Sequence, residues 1–484
     1  MTPSLPLPFA LPEEQGVPSQ ALLHLLDQLD AMDQLHGLIL QRHGKILLQA
    51  SWKPYDGRTP HHLFSLSKSF VSCAIGFALQ EGRLRLEQTL AEFFPREASQ
   101  PGVSPLAGQV TLRNLLTMRG GQENCHLGPF LFHPTEQSLV ERYLQAPMVT
   151  PGGQSFVYNS GSTYMLSAVL QKVTGQTVAE YLQPRLFAPL GIRPPHWQKC
   201  SQGICLGGWG LYLPLEELNR FTQLLASGGQ WEGKQILPAD YLREATSFQS
   251  ENAANCRRDW DCGYGYQFWR CSHPGAFRGD GAYGQYSLVI PDHQLAITTH
   301  AGMAEMGRIL IALWDDFLPA LQNAPLPPDP QGCQALAERL ARLEIPRPQG
   351  SYHGDVPGGR YRLEENPLGF QEVSCQFQAN GGRLTLLRQG RSFPLEFRYG
   401  DWSRCQAPGL YDVHTPLGGE VALSAAWESP AVLLLHMAFL NEPTLAKFRL
   451  VFQEDRLDIT RDFNLWFLYG AEDMHARCHG VRLP

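Results

Sequence analysis

Residues 65–82 read SLSKSFVSCAIGFALQEG: a serine, a lysine three positions on, and an apolar helical run that stops at Gly82. Ser65-Leu66-Ser67-Lys68 is the only Ser-x-x-Lys in a chain that holds seven lysines. A serine hydroxyl is a poor nucleophile until an adjacent base takes its proton. Positions three apart on a helix share a face, so Lys68 Nζ can reach the Ser65 hydroxyl. Burial disfavours the charged form of a lysine, and a neutral Lys68 is a competent base. The helix start adds a partial positive charge that favours negative charge developing on Ser65. The competing reading of the same tetrapeptide is a capping serine followed by a surface lysine.

Upstream, Ser19 is read as the N-cap of an amphipathic helix, ALLHLLDQLDAM, and LHGLILQRHGKILLQASW as a hairpin turning at His43-Gly44. Downstream, SGSTYMLSAVLQKVTG and PLEELNRFTQLLASGG fit helices. YGQYSLVIPDHQLAITTHA fits a second hairpin at Pro291-Asp292, and GRILIALWDDFLPALQ a closing helix. Helices at both ends of strands, with a helical block between, predict a mixed α+β domain over residues 1–323. Proline-dense NAPLPPDPQG, the short helix CQALAERLARLE and IPRPQG form a linker over 324–351. Short alternating runs such as RLTLLRQG and AVLLLHMAFL, parted by glycine turns, predict a small all-β domain over 352–484.

Two further motifs carry possible chemistry. Tyr158, in PGGQSFVYNSGSTYM, stands at a helix start where its phenol could relay a proton to a leaving group, although most tyrosines only pack. Arg278-Gly-Asp-Gly-Ala-Tyr-Gly-Gln285 precedes a strand; its glycines let a substrate approach the backbone, and a strand-edge N–H can stabilise an oxyanion. A plain glycine-rich strand entry is the alternative there.

In this order, HGLILQRHGKILLQ, SLSKSF, VTLRNLLTMRGG, PGGQSFVYNSGSTYM and GAYGQYSLVIP resemble the serine β-lactamase and penicillin-recognising superfamily. The nearest branch is that of class C β-lactamases, related esterases and 6-aminohexanoate-dimer hydrolases. The resemblance implies an antiparallel sheet flanked by N- and C-terminal helices, with an inserted helical subdomain. It makes Ser65 the acylated nucleophile, Lys68 its base, Tyr158 the tyrosine of the Tyr-x-Asn motif, and the N–H groups of Ser65 and Ala282 the oxyanion hole. Ser160 stands where the motif has Asn, and Gly279-Asp280-Gly281 where the family has Lys-Thr-Gly. An acid there repels a substrate carboxylate, unless Arg278 neutralises it. The resemblance therefore implies cleavage of a small neutral or amine-bearing amide or ester, rather than efficient β-lactam hydrolysis. Ser160, Asp280, Gly281, Tyr283 and Trp209 are candidate substrate contacts, Trp209 with core packing as its alternative. No metal or organic cofactor is required. A β-lactamase or D-Ala-D-Ala carboxypeptidase, and a non-catalytic binder on the same fold, are the competing functions.

Composition narrows the partners. A formal net charge of −7 provides no basic surplus for tracking phosphates, so nucleic acid is not expected. The opening MTPSLPLPFALPEEQGVP lacks a basic, unbroken apolar leader, and no run approaches the ~20 apolar residues of a membrane span. The expected location is cytoplasmic, with no membrane partner. Eleven scattered cysteines without C-x-x-C spacing are expected to be reduced, packed thiols. His36, His43, His61, His62 and His300 need no catalytic role.

Overall fold

A computed structural model of the chain describes residues 7–127, 136–253, 256, 258–350, 358–410, 417–465 and 474–484. The N-terminal hairpin forms as its turn chemistry dictates. β1 (Leu35–Arg42) and β2 (Lys45–Ser51) meet at His43 and Gly44, with φ of 51° and 76°. Two successive left-handed residues match the twist of a tight hairpin. β3 (His61–His62), β4 (His196–Trp197) and β5 (Leu211–Leu213) make a small sheet, and β6 (Gln230–Trp231) and β7 (Lys234–Gln235) a flap. β8 (Trp269–Arg270), β9 (Phe277–Gly281), β10 (Gln285–Ile290) and β11 (Leu295–Ala301) then join the first hairpin in an antiparallel sheet, β2-β1-β11-β10-β9-β8. In register, Leu40 faces Ile297 and Tyr286 faces Asp280.

One sheet face packs Leu38, Leu40, Leu288 and Ile297 against Leu22 and Leu26 of the helix Ser19–Asp30 and against Ile309, Leu313 and Phe317 near the end of the domain. The other face meets the helix Leu215–Ala226 through a buried polar seam, where Gln41 and Thr298 bond Asn219 and Thr222 bonds Ser287. The helix Ser67–Gln80 lies between sheet and helical block, with twelve of its fourteen residues buried. Burial on every side makes it the axis of the domain. Ser19 is not an N-cap: Pro18 holds that place, and Ser19, the first helical residue, donates its N–H to Glu13 Oε1 at 2.8 Å.

Residues 324–350 run along the first domain. In the helix Pro330–Leu340, Arg339 bonds Asp27 at 2.9 Å and Asp30 at 2.7 Å, and Leu336, Leu343 and Ile345 enter the first domain's core. The C-terminal domain comprises β12 (Gly359–Leu363), β13 (Phe370–Gln378), β14 (Gly381–Arg388), β15 (Arg391–Tyr399), β16 (Ser403–Gln406), β17 (Glu420–Ser429), β18 (Val432–Phe439), β19 (Leu445–Gln453), β20 (Arg456–Phe463) and β21 (His475–Arg482). A parallel contact of β15 with β17 closes nine of these strands into a barrel, with β16 paired outside β17. Inward residues such as Leu423, Trp427, Leu457 and Ile459 fill the interior. Cys256 and Cys262 form a disulfide, which departs from the expectation of eleven reduced thiols; the other nine are free. Among the described residues no helix is long and apolar enough to cross a membrane.

Candidate active site

The nucleophile turn comes first. Phe64–Leu66 is a single 3₁₀ turn leading into the helix Ser67–Gln80, and Phe64 adopts φ 48°. A bulky residue in the left-handed region costs on the order of 1–3 kcal/mol and persists only when its surroundings hold it. Here the His62 ring stacks on Phe64 at 3.9 Å, and Tyr283 meets it edge-on at 5.5 Å. In this turn Ser65 remains partly exposed between buried Phe64 and Leu66.

Lys68 is 1% exposed, and its Nζ lies 2.8 Å from Ser65 Oγ, 3.0 Å from Ser160 Oγ and 2.6 Å from the Gly208 carbonyl. Burial lowers its pKa to about 7, partly opposed by Cys125 and Asp280. Tyr158 stands over the same amine, with Nζ 4.9 Å from its ring centre. Its phenol is held neutral by burial, against the opposing pull of a hydrogen bond with Ser65. Trp269 packs on its ring at 5.2 Å. Asn159 caps the helix Ser160–Thr174, accepting from the Gly161 N–H at 2.8 Å and donating to Gln122 at 2.6 Å. That cap fixes the direction of Tyr158 and Ser160 on either side of it.

The third motif arrives on β9. Asp280 faces this site, since its charge acts on Lys68, Tyr158 and Tyr264. Arg278 neutralises it through a buried ion pair of 2.8 Å, and the guanidinium also donates to the Asp259 carbonyl at 3.0 Å and covers Trp260. Burial raises the Asp280 carboxyl, and Arg278 pulls it back. Ala282 follows β9, partly exposed beside Phe64.

Four of the candidate substrate contacts, Gly281, Tyr283, Trp209 and Ser160, are engaged within the protein itself. Gly281 is small because a side chain would overlap the Leu63 carbonyl, and a Cβ on Gly279 would come 2.9 Å from Ser69 Oγ. These glycines admit the protein's own Phe64–Leu66 turn and the helix that follows it. Tyr283 is 6% exposed, wedged among Phe64, Ala282 and Leu465 of the barrel, so it is a wall behind the site. Trp209 is buried in the helical core, where its carbonyl accepts the Trp197 indole at 3.0 Å, which is the packing alternative. Ser160 is engaged by Lys68 rather than left for a substrate amide.

Other residues carried no sequence signal. Gly208 brings its carbonyl to Lys68 at a place where only a residue without a side chain fits, since a Cβ would meet the Ser160 carbonyl at 2.8 Å. From the barrel, Glu442 accepts from the Tyr212 hydroxyl at 2.6 Å and lies 3.1 Å from His62 Nδ1, while His62 Nε2 accepts from the Gly210 N–H at 3.3 Å. A chain of buried bonds thus links the second domain to both segments that flank Ser65 and Lys68.

An antiparallel sheet, a helical block and a partly exposed serine beside a buried lysine at a helix start define the penicillin-recognising class of serine-hydrolase folds. Residues 24–301 match the Beta-lactamase family profile, and the chain belongs to that family. A provisionally assigned D-alanyl-D-alanine carboxypeptidase of Escherichia coli K12 is 25% identical over 189 residues, 37% of this chain and 42% of that protein. The lovastatin esterase of Penicillium rubens is 27% identical over 168 residues, 31% of this chain and 42% of the esterase. The chain thus spans under half the length of both curated relatives. A provisionally assigned 6-aminohexanoate-dimer hydrolase of Bacillus anthracis shares the fold at a TM-score of 0.50 and 19% identity, covering 70% of this chain and 87% of that one.

Proposed function

We propose that the chain is a serine hydrolase that cleaves a small amide or ester through an acyl-enzyme. The observation that carries this reading is the 2.8 Å contact between Ser65 Oγ and a buried Lys68 whose pKa lies near 7. A neutral amine has two N–H bonds and one lone pair. Ser160 Oγ and the Gly208 carbonyl take the N–H groups, which leaves the lone pair for the Ser65 proton. Ser65 Oγ then attacks the substrate carbonyl, whose oxygen is received by the backbone N–H groups of Ser65 and Ala282. The tetrahedral intermediate collapses as Tyr158 passes a proton to the leaving group. Water, deprotonated by the same Lys68–Tyr158 pair, releases the acyl group and restores Ser65.

Substrate charge follows from Arg278, which is fully buried and paired with Asp280, so it offers no cation for a substrate carboxylate. A neutral acyl compound fits this site better than a carboxylate-bearing β-lactam. A fluorophosphonate probe is expected to add one mass adduct at Ser65 in the wild type and none in Ser65→Ala; an inert wild type would favour a binding protein instead. Nitrocefin turnover at the rate of a dedicated β-lactamase would overturn the substrate class while leaving the nucleophile in place.

A further inference from the structure

At the end of the sheet away from Ser65, two imidazoles and a carboxylate converge. His273 lies in the β8–β9 connection, and Asp292 and His293 lie in the turn between β10 and β11. Because Val289 pairs with Phe277, both connections leave the sheet on the same side. One donor atom from each residue falls within 4.8 Å of the other two. His273 Nε2 is 2.9 Å from Asp292 Oδ2, and His293 Nε2 is 3.9 Å from that same oxygen. A tetrahedral ion with bonds of about 2.0–2.2 Å sets its ligands about 3.3 Å apart. The two carboxylate–imidazole separations lie on either side of that edge.

The donors are also oriented. Asp292 Oδ1 accepts the His293 N–H at 3.1 Å, which leaves Oδ2 for the imidazoles. The His273 ring stacks on Trp314 at 5.5 Å, and the Trp314 indole is fixed by Asp259 at 3.0 Å. The His293 carbonyl is held by Arg42 Nε at 3.2 Å. These contacts limit the freedom of the His273 ring and of the His293 backbone. Side-chain exposures of 21%, 54% and 26% for His273, Asp292 and His293 leave room for an ion to enter and for water as a fourth ligand. Two imidazoles with one carboxylate suit a borderline divalent ion, whereas calcium and magnesium prefer all-oxygen cages.

We propose that His273, Asp292 and His293 form a zinc site that ties the β8–β9 connection to the β10–β11 turn. The length of β9 sets it roughly 17 Å from the Ala282 end of the strand, so it takes no part in the serine chemistry and does not depend on that reading. The test is calorimetric titration of the full, tag-free, chelator-stripped chain with zinc chloride, together with cobalt(II) absorption. One zinc per chain is expected, with visible cobalt bands and no thiolate charge-transfer band, and at least about tenfold weaker binding in His293→Ala and in Asp292→Asn. Asp292→Asn conserves shape, so weakened binding with an unchanged circular dichroism spectrum reports a lost ligand and not misfolding. No zinc uptake, a thiolate band, or affinity unchanged in both variants would overturn the proposal.

Discussion

At the scale of single residues, the proposed role of Lys68 as base is testable by pH, because burial shifts its titration. With its pKa lowered by burial to about 7, the kcat/KM of a neutral ester is expected to rise with pH and level off above that value. Lys68→Ala should lose this limb together with about 10²–10⁴-fold of rate, and a profile falling over about pH 6–8 would remove Lys68 as the base. Stability follows the same shift. Between the folded value near 7 and the ordinary 10.5, the unfolded chain binds the extra proton, so this residue's contribution to stability rises with pH across that window. Lys68→Met should therefore be less destabilising near pH 6 than near pH 10 by denaturant titration; the reverse order would contradict a buried, shifted lysine. Ser65 and Lys68 were legible because three residues on a helix lie within one side chain's reach. The Gly208 carbonyl was not, because it arrives from a loop 140 residues away.

Among the elements, the approach of β9 to the nucleophile turn decides the site. Gly281→Ala drives a Cβ into the Leu63 carbonyl, which is backbone and cannot yield, whereas Gly279→Ala meets the Ser69 hydroxyl, which can rotate. Overpacking costs about 1–3 kcal/mol, so Gly281→Ala is expected to lower the melting temperature and slow fluorophosphonate labelling, with Gly279→Ala the milder of the two. Equal effects would argue against a tight β9 contact. Both hairpins could be read from their apolar strand-like runs and from the turns at His43-Gly44 and Pro291-Asp292. The pairing of β1 with β11 could not, since nothing local to either strand records a partner some 260 residues distant. Likewise the glycines of the third motif announced a close approach without saying what approaches.

For the whole molecule, the barrel is part of the first domain's structure. Ala422, Ala438, Leu440 and Leu445 complete its core, Asn441 donates to the Pro60 carbonyl at 2.7 Å, and Glu442 ties His62 to Tyr212. Glu442→Ala would strand two buried polar groups at about 1–3 kcal/mol each. It is expected to lower the melting temperature, to increase proteolysis between residues 324 and 358, and to reduce kcat more than it raises KM, because the segments it holds carry Phe64 and Gly208. Wild-type stability and activity in that variant would show that the two domains act separately. The sequence alone determined the α+β character, the juxtaposition of Ser65 with Lys68, and the β-rich C-terminal region, because hydrophobic period, turn chemistry and helical spacing are written in adjacent residues. Only the tertiary structure decided that Arg278 pairs with Asp280, that Tyr283 packs between Phe64 and Leu465, and that a barrel loop bonds the segment leading to Ser65. Those outcomes depend on burial and on the meeting of segments hundreds of residues apart, which no local pattern encodes.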